Sequence, residues 1–97
     1  MAGRATSKSV PVINLQEEIV LAMVGELFAE RPEICQCAQC RADTQVYALN
    51  RLPPKYVATS RGRAISRVEG TDIDSRVRVA SAVARAIRLI SKNPNHA

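Results

Sequence analysis

Apolar residues recur at helical spacing in three stretches of this 97-residue chain, at about 15–29, 38–50 and 71–92. The first and third stretches open with capping residues, Asn14 ahead of Glu17 and Thr71 ahead of Asp74. A proline follows each stretch, and residues 55–60 have an extended or strand-like composition. The pattern predicts a mostly α-helical domain, small and all-α in class, with three to four helices and one extended segment.

Each predicted helix carries an apolar face that we expect to contribute to the core. The first helix has two such stripes, so it is apolar over most of its circumference and fits either the centre of a core or a homodimer interface. Its stripes are Leu15, Ile19, Ala22, Met23 and Leu27, and Leu21, Val24 and Phe28. The core faces predicted for the other helices are Ala42, Val46 and Leu49, and Ile73, Val77, Ala80, Ala84 and Ile87 with Val83 and Ile90 beside them.

Length and composition predict a single domain. A chain this short buries only about 60–65% of its unfolded surface, so we expect a homodimer or another staple to stabilise it. Residues 13–93 are predicted to form the domain, with a flexible arm at 1–12 and a tail at 94–97. No apolar run approaches the roughly 20 residues that span a bilayer, and the polar N-terminus lacks the apolar core of a signal peptide. We therefore expect a cytoplasmic protein that does not associate with membranes.

The formal charge of +5 is unevenly distributed along the chain. Residues 1–50 carry four Lys/Arg against six Asp/Glu, whereas residues 51–97 carry ten against three. The basic half therefore begins at Arg51. Such an asymmetry predicts an anionic partner, and the charge alone leaves open whether this is a nucleic acid, a phosphate-bearing small molecule or an acidic protein.

Three cysteines, Cys35, Cys37 and Cys40, lie within six residues at the start of the second predicted helix. Thiolates at this spacing can surround a soft tetrahedral ion such as zinc, and a helix N-terminus lowers thiol pKa values. A closed site needs a fourth ligand, for which Asp43, a water molecule or a group from a second subunit would serve, since His96 lies in the tail. The pattern predicts a structural zinc site, with reduced free thiols and a redox switch as the alternatives.

No grouping in the sequence is typical of an active site. The acids Glu17, Glu18, Asp72 and Asp74 fall in predicted first turns, where carboxylates simply favour the helix dipole. The single histidine, His96, has no nucleophile that pairs with it. We therefore expect that the protein is not an enzyme.

A basic segment rich in turn residues follows the second predicted helix. It reads ALNRLPPKYVATSRGR over residues 48–63, where Arg51, Lys55, Arg61 and Arg63 accompany a tyrosine, two hydroxyls and a glycine. Cations, hydroxyls and the backbone N–H groups of a turn are the groups with which proteins hold phosphates. Arginine can also stack on a nucleobase or pair with the edge of guanine. A solvated basic loop is the other interpretation of the segment.

Three segments together resemble the bacterial late-competence ComFB family. They read NLQEEIV near the N-terminus, CQCAQCRADTQVYALNRLPPKYVATSRG in the middle and VASAVARAIRLISKNP near the C-terminus. The resemblance covers residues 13 to about 94, and its most specific part is ALNRLPPKYV. It implies a small, mostly helical, homodimeric cytoplasmic protein, in which a cysteine cluster marks the zinc-binding members.

The resemblance also implies a function. The family looks like a class of receptors for cyclic dinucleotides, chiefly cyclic di-GMP and in some members cyclic di-AMP, that regulate competence, motility or cell size through a protein partner. The matched segment contributes Asn50–Tyr56, Thr59 and Gly62. The residues that we expect to contact the ligand, because they offer donors or a stacking face, are Arg51, Lys55, Tyr56, Thr59, Ser60, Arg61 and Arg63.

One part of the segment departs from the family pattern. Thr59-Ser60-Arg61-Gly62 varies the polar turn of the relatives, so the roles of Ser60 and Arg61 are less closely tied to the family. The alternative function is a basic DNA-binding or zinc-stabilised regulatory adaptor without a small-molecule ligand. The lack of a helix-turn-helix signature and the small number of aromatic residues for stacking single strands make nucleic acid the weaker alternative.

Overall fold

The structure is a computed structural model that describes residues 10–58 and 73–94. Within these ranges the order of elements is β1 (Ile13–Asn14), α1 (Leu15–Ala29), α2 (Ala38–Leu49), β2 (Tyr56–Val57) and α3 (Ile73–Lys92). The predicted mostly α-helical class is confirmed, and so are the C-terminal ends of the three helices to within one residue. The capping residue Thr71 lies outside the described residues.

Side chains before the first two helices define where these helices begin. Asn14 Oδ1 accepts a hydrogen bond from the Gln16 N–H at 3.1 Å, which caps α1. Cys37 has the equivalent place before α2, where its sulfur accepts from the Cys40 N–H at 3.4 Å. The sequence just after each helix is also consistent with its end, since Pro32 follows α1 and Pro53 follows α2.

Each of the three helices packs against the other two around a single core. The fully buried side chains come from all three helices, and most are aliphatic because the chain has one Phe and no Trp. The core consists of Val20, Met23, Val24, Phe28, Ala48, Leu52, Val79, Val83, Ala86 and Ile87.

The buried face of α1 differs from both predicted stripes. The buried face lies between the two stripes and takes residues from both. It also includes Gln16 and Val20, which neither stripe contained. Leu21 is 56% exposed and Ala22 is also exposed. Both stripes were right in part, since Leu15 and Met23 of the first and Val24 and Phe28 of the second are buried. An all-round apolar helix has no unique face, and the neighbouring helices select one.

The core faces predicted for α2 and α3 were also wrong in part. In α2 the buried row is Cys40, Thr44 and Ala48, whereas Val46 is 56% exposed. Small side chains in this row allow α2 to approach its neighbours closely, and the Thr44 hydroxyl is satisfied by donating to the Cys40 carbonyl at 2.8 Å. In α3 the buried residues are Val79, Val83, Ala86 and Ile87, while Ile73 and Val77 are exposed.

An antiparallel pair of two-residue strands joins the start of α1 to the segment after α2. Ile13 pairs with Val57, and Asn14 pairs with Tyr56. The ladder continues past the strands, since the Leu15 N–H donates to the Lys55 carbonyl at 2.8 Å. The extended segment predicted at 55–60 is therefore present as a strand at Tyr56–Val57, but its partner strand was not predicted.

Two side chains of the α1 N-terminus reinforce this pairing. Asn14 Oδ1 accepts a second hydrogen bond, from the Lys55 N–H, at 2.8 Å. Gln16 Nε2 donates to the Pro53 carbonyl at 2.8 Å. We call Asn14, Gln16 and the segment 53–57 that they hold the α1 clamp. The clamp supplies hydrogen-bond partners for the Pro53 carbonyl and the Lys55 N–H, which lie outside any helix or strand. It therefore fixes the backbone of this proline-containing segment.

No helix within residues 10–58 or 73–94 combines the length and the apolar character that a bilayer crossing requires.

We expect Asn14→Ala to lower the free energy of unfolding by about 2 kcal/mol, with a fall in Tm of about 10 °C. The substitution removes the cap of α1 and leaves the Lys55 N–H without its acceptor. Chemical and thermal denaturation followed by circular dichroism would measure the change. Asn93→Ala, at an exposed position after α3, is the matched control, and an equal loss in both variants would contradict the role of the clamp.

Candidate functional site

The structure brings together two groups of functional side chains. One is the cysteine cluster at the start of α2, and the other surrounds the segment between α2 and β2. The two groups are described in turn because they carry different chemistry.

The three cysteine sulfurs all lie within 4.8 Å of one another. The turn between α1 and α2 supplies Cys35 and Cys37, which are exposed, and the first turn of α2 supplies Cys40, which is buried. Zinc–sulfur bonds of about 2.3 Å in a tetrahedron separate the sulfurs by about 3.8 Å, so these thiols need only a small adjustment to hold an ion. The prediction that the three cysteines form one group is confirmed, and the group could hold a metal ion.

The environments of two of these thiols differ sharply. The Cys40 N–H, which donates to the Cys37 sulfur, lowers the pKa of Cys37 to about 7. Burial raises the pKa of Cys40 to about 12, and hydrogen bonds with the neighbouring cysteines add to this shift. The cluster therefore presents one readily formed, accessible thiolate beside a buried thiol that holds its proton.

The turn that carries the cysteines is fixed by the side chain of Gln36. Its Nε2 donates to the Phe28 carbonyl at 2.8 Å and to the Arg31 carbonyl at 2.9 Å, so it satisfies the open end of α1. The Arg41 guanidinium donates to the Gln36 carbonyl at 3.3 Å and lies 5.1 Å from the centre of the Phe28 ring. These contacts hold the thiols in place through protein groups alone.

Asp43, one of the fourth ligands that the sequence left open, is not part of the cluster. Its Oδ1 accepts from Gln39 Nε2 at 2.7 Å, and its carboxylate is not among the close donor atoms. His96 lies outside the described residues. The described residues thus supply three ligands, which leaves the fourth position to water or to another part of the assembly.

In the second group, Arg51 stacks on an aromatic ring. Its guanidinium carbon lies 3.7 Å from the centre of the Tyr47 ring, which places an exposed cation and a phenol side by side at the end of α2. The sequence analysis missed Tyr47, although its position four residues before Arg51 on a predicted helix was a usable signal.

Lys55 lines a cleft between the N-terminus of α1, the segment 52–55 and the first turns of α3. The polar residues that line this cleft with it are Gln16, Ser75 and Arg78. Its apolar wall consists of Ile19, Leu52 and Val79. No sequence signal identified Gln16 as a cleft residue, because a glutamine in a first helical turn is usually solvated.

The other predicted ligand contacts are only partly placed by the structure. Tyr56 is 65% exposed on β2, and Arg51 is not among the residues that line the cleft. Four of the predicted residues, Thr59, Ser60, Arg61 and Arg63, lie outside the described residues. Arg51, Lys55 and Tyr56 lie within six consecutive residues of the sequence. The structure does not bring them into one pocket, since only Lys55 lines the cleft.

Comparisons with known proteins agree on one family. The family model described as "Late competence development protein ComFB" matches residues 13–94. A solved structure of the late competence protein ComFB from Bacillus subtilis is similar with a TM-score of 0.72 and 22% identity. The match covers 88% of this chain and 93% of that chain, and at this identity it shows a shared fold. No curated protein sequence matches the chain.

We expect Cys37 to be the first of the three thiols to react with iodoacetamide in the reduced protein kept metal-free with a chelator. Its lowered pKa makes the thiolate abundant near pH 7, so the rate should level off by about pH 8 instead of rising through pH 9. Fragmentation mass spectrometry at several pH values would locate the label. In guanidinium chloride the three thiols should react alike, and earlier labelling of Cys40 in the folded chain would refute the assignment.

Proposed function

The chain belongs to the ComFB family of late competence development proteins, and from that premise we propose that it is a non-enzymatic receptor for a cyclic dinucleotide, with cyclic di-GMP as the preferred ligand. It would act in the cytoplasm as a homodimer and regulate competence, motility or cell physiology through a protein partner. Zinc would stabilise the turn between α1 and α2.

The observation that carries the ligand proposal is the placement of two cations on either side of a rigid segment. Arg51 lies before Leu52–Pro54 and Lys55 lies after it, and the α1 clamp fixes the backbone at Pro53 and Lys55. Among the described residues, no carboxylate forms an ion pair with either cation. Two ordered cations that no carboxylate in residues 10–58 or 73–94 neutralises are suited to an anionic ligand.

Arg51 and Tyr47 supply a flat surface suited to a nucleobase. A guanidinium that already lies over a phenol can receive a base on its other face, or can pair with the O6 and N7 edge of guanine. Lys55 would hold a phosphate, and Thr59, Ser60, Arg61 and Arg63 would complete the site. The predicted role of Tyr56 is a further stacking face, in keeping with its exposure.

The homodimer proposal rests on the symmetry of the ligand and on an open groove. A two-fold symmetric ligand suits a symmetric dimer, because one site repeated on both subunits can bind both halves. Leu49 of α2 and the exposed Leu21 of α1 line an open groove together with Glu17, Glu18 and Gln45. A second copy that covered this groove would bury the apolar side chains of Leu21 and Leu49, with the two glutamates at its polar part.

The zinc proposal rests on the donor set. Three thiolates within one short segment are the soft ligands that zinc prefers, and the described chain offers no general base beside them. Cys35, Cys37 and Cys40 would hold the ion, which would join the turn to the first turn of α2. Thiolate ligands with no catalytic partner among the described residues favour a structural role, and the fourth ligand would come from outside these three cysteines.

The alternative of a DNA-binding adaptor has one supporting observation. Along α3 the exposed cations Arg76, Arg78, Arg85 and Arg88 lie on a helix with few acidic residues. This function would give a steep dependence of DNA affinity on salt and no affinity for cyclic dinucleotides.

Calorimetric titration of the full chain should show binding of cyclic di-GMP with a Kd below about 100 μM, which corresponds to about −5.5 kcal/mol. Cyclic di-AMP should bind more weakly, and GTP serves as the general nucleotide control. Arg51→Ala should weaken binding about tenfold, because it removes the stacking cation, whereas Arg88→Ala removes an equal charge from α3 and should change it less than twofold. No binding by either cyclic dinucleotide below that concentration would overturn the receptor function.

Protein purified without chelator should contain one zinc ion per chain, measured by atomic emission. Removal of the ion should lower the Tm, since ligands present only in the folded state stabilise it. Cys37→Ser should reduce the zinc content, and a chelator should then have no further effect on the Tm of this variant. A zinc content that survives serine substitution at all three cysteines would show that the ion binds elsewhere.

A further inference from the structure

The cleft beside Lys55 has features that the proposed site residues do not explain. It is an open cleft of about 60 Å³ between α1, the segment 52–55 and α3. Three of its polar residues, Gln16, Ser75 and Arg78, come from outside the basic segment that the sequence singled out. They belong to two different helices, so only the fold brings them to Lys55.

The electrostatics of the cleft favour an anion. Two helices begin at its walls, with Gln16 the second residue of α1 and Ser75 the third residue of α3, and the N-terminal turns of helices carry partial positive charge. Lys55 and Arg78 add two full positive charges. Among the described residues that line the cleft, none carries a carboxylate. The acids Glu17 and Glu18 instead line the groove beside Leu21.

Gln16 gives a second, independent indication of a ligand. The residue is 2% exposed, and its Nε2 is committed to the Pro53 carbonyl, which fixes the orientation of the amide. Its Oε1 is buried and accepts no hydrogen bond from the residues that the structure describes. A buried acceptor without a donor is unfavourable, so a ligand N–H that reaches this oxygen would recover the missing bond.

Together these observations favour one chemical class of ligand. A bare phosphate would use the cations and the Ser75 hydroxyl, but it has no N–H for Gln16 and no surface for the apolar wall. A nucleotide has all three parts, since its phosphate is anionic, its base has an apolar face and its exocyclic or ring N–H groups donate. The cavity volume of about 60 Å³ is well below that of an enclosed ligand pocket, so a nucleotide would lie in an open cleft and remain partly in solvent.

We propose that this cleft is a nucleotide subsite, in which Lys55, Ser75 and Arg78 hold a phosphate and Gln16 Oε1 accepts from the base. The subsite takes one nucleotide unit of a cyclic dinucleotide, and in this form the inference rests on the proposed function. It adds Gln16, Ser75 and Arg78 to the binding residues. The other half of the ligand extends beyond the cleft.

The test combines affinities with a local readout. Arg78→Ala should weaken cyclic di-GMP binding about tenfold, whereas Arg85→Ala, seven residues further along α3 and outside the cleft, should change it less than twofold. In ¹⁵N-labelled full-length protein, cyclic di-GMP and GMP should both shift the side-chain amide signal of Gln16 and the backbone signal of Ser75. Inorganic phosphate should shift Ser75 and leave the Gln16 side chain unchanged.

The outcomes separate this inference from the receptor function. If cyclic di-GMP binds but Arg78→Ala resembles Arg85→Ala, or the Gln16 signal does not move, the cleft is not the subsite although the receptor function stands. If cyclic di-GMP does not bind but GMP shifts Gln16 and Ser75, the receptor function fails and the nucleotide subsite stands. If neither nucleotide moves these signals, the subsite is overturned.

Discussion

The α1 clamp is the constraint on which the arrangement of the domain depends. A segment with two consecutive prolines lacks two backbone donors and cannot join a helix, so its remaining polar groups need partners from elsewhere in the fold. Asn14 and Gln16 supply these partners from the first residues of α1. The Asn14 Oδ1 atom that caps α1 therefore also holds the backbone of Lys55. Stability and binding geometry are linked here because one side chain, Asn14, serves both elements.

Much of the fold follows from local signals in the sequence. Capping residues and prolines located the helices, since these signals act on the backbone next to them. The buried faces depend on which neighbours a helix meets, and so the predictions for Val46 and Val77 were wrong. The strand at Ile13–Asn14 also escaped prediction, because two residues form a strand only when a distant segment pairs with them.

The two parts of the candidate site also differ in how far the sequence predicts them. Cys35, Cys37 and Cys40 are close in sequence, and so their grouping could be predicted directly from their spacing. The cleft beside Lys55 could not, because its walls come from positions as far apart in the sequence as Gln16 and Val79. Cys40 belongs both to the cysteine cluster and to the buried row of α2. A substitution or a bound ion at Cys40 therefore also alters the packing of α2 against the core.

The fold brings the start of the acidic half of the chain next to the basic half. The acidic half provides α1, whose N-terminus nevertheless lies against the basic half at Lys55. Glu17 and Glu18 face the groove on the other side of α1, which leaves the neutral amide of Gln16 as the α1 side chain that meets the cations at the cleft. Had a carboxylate stood at that position, it would have neutralised a nearby cation and repelled an anion. An amide keeps the cleft positive and still offers an acceptor, and that combination discriminates a ligand that carries both a negative charge and an N–H from a simple anion.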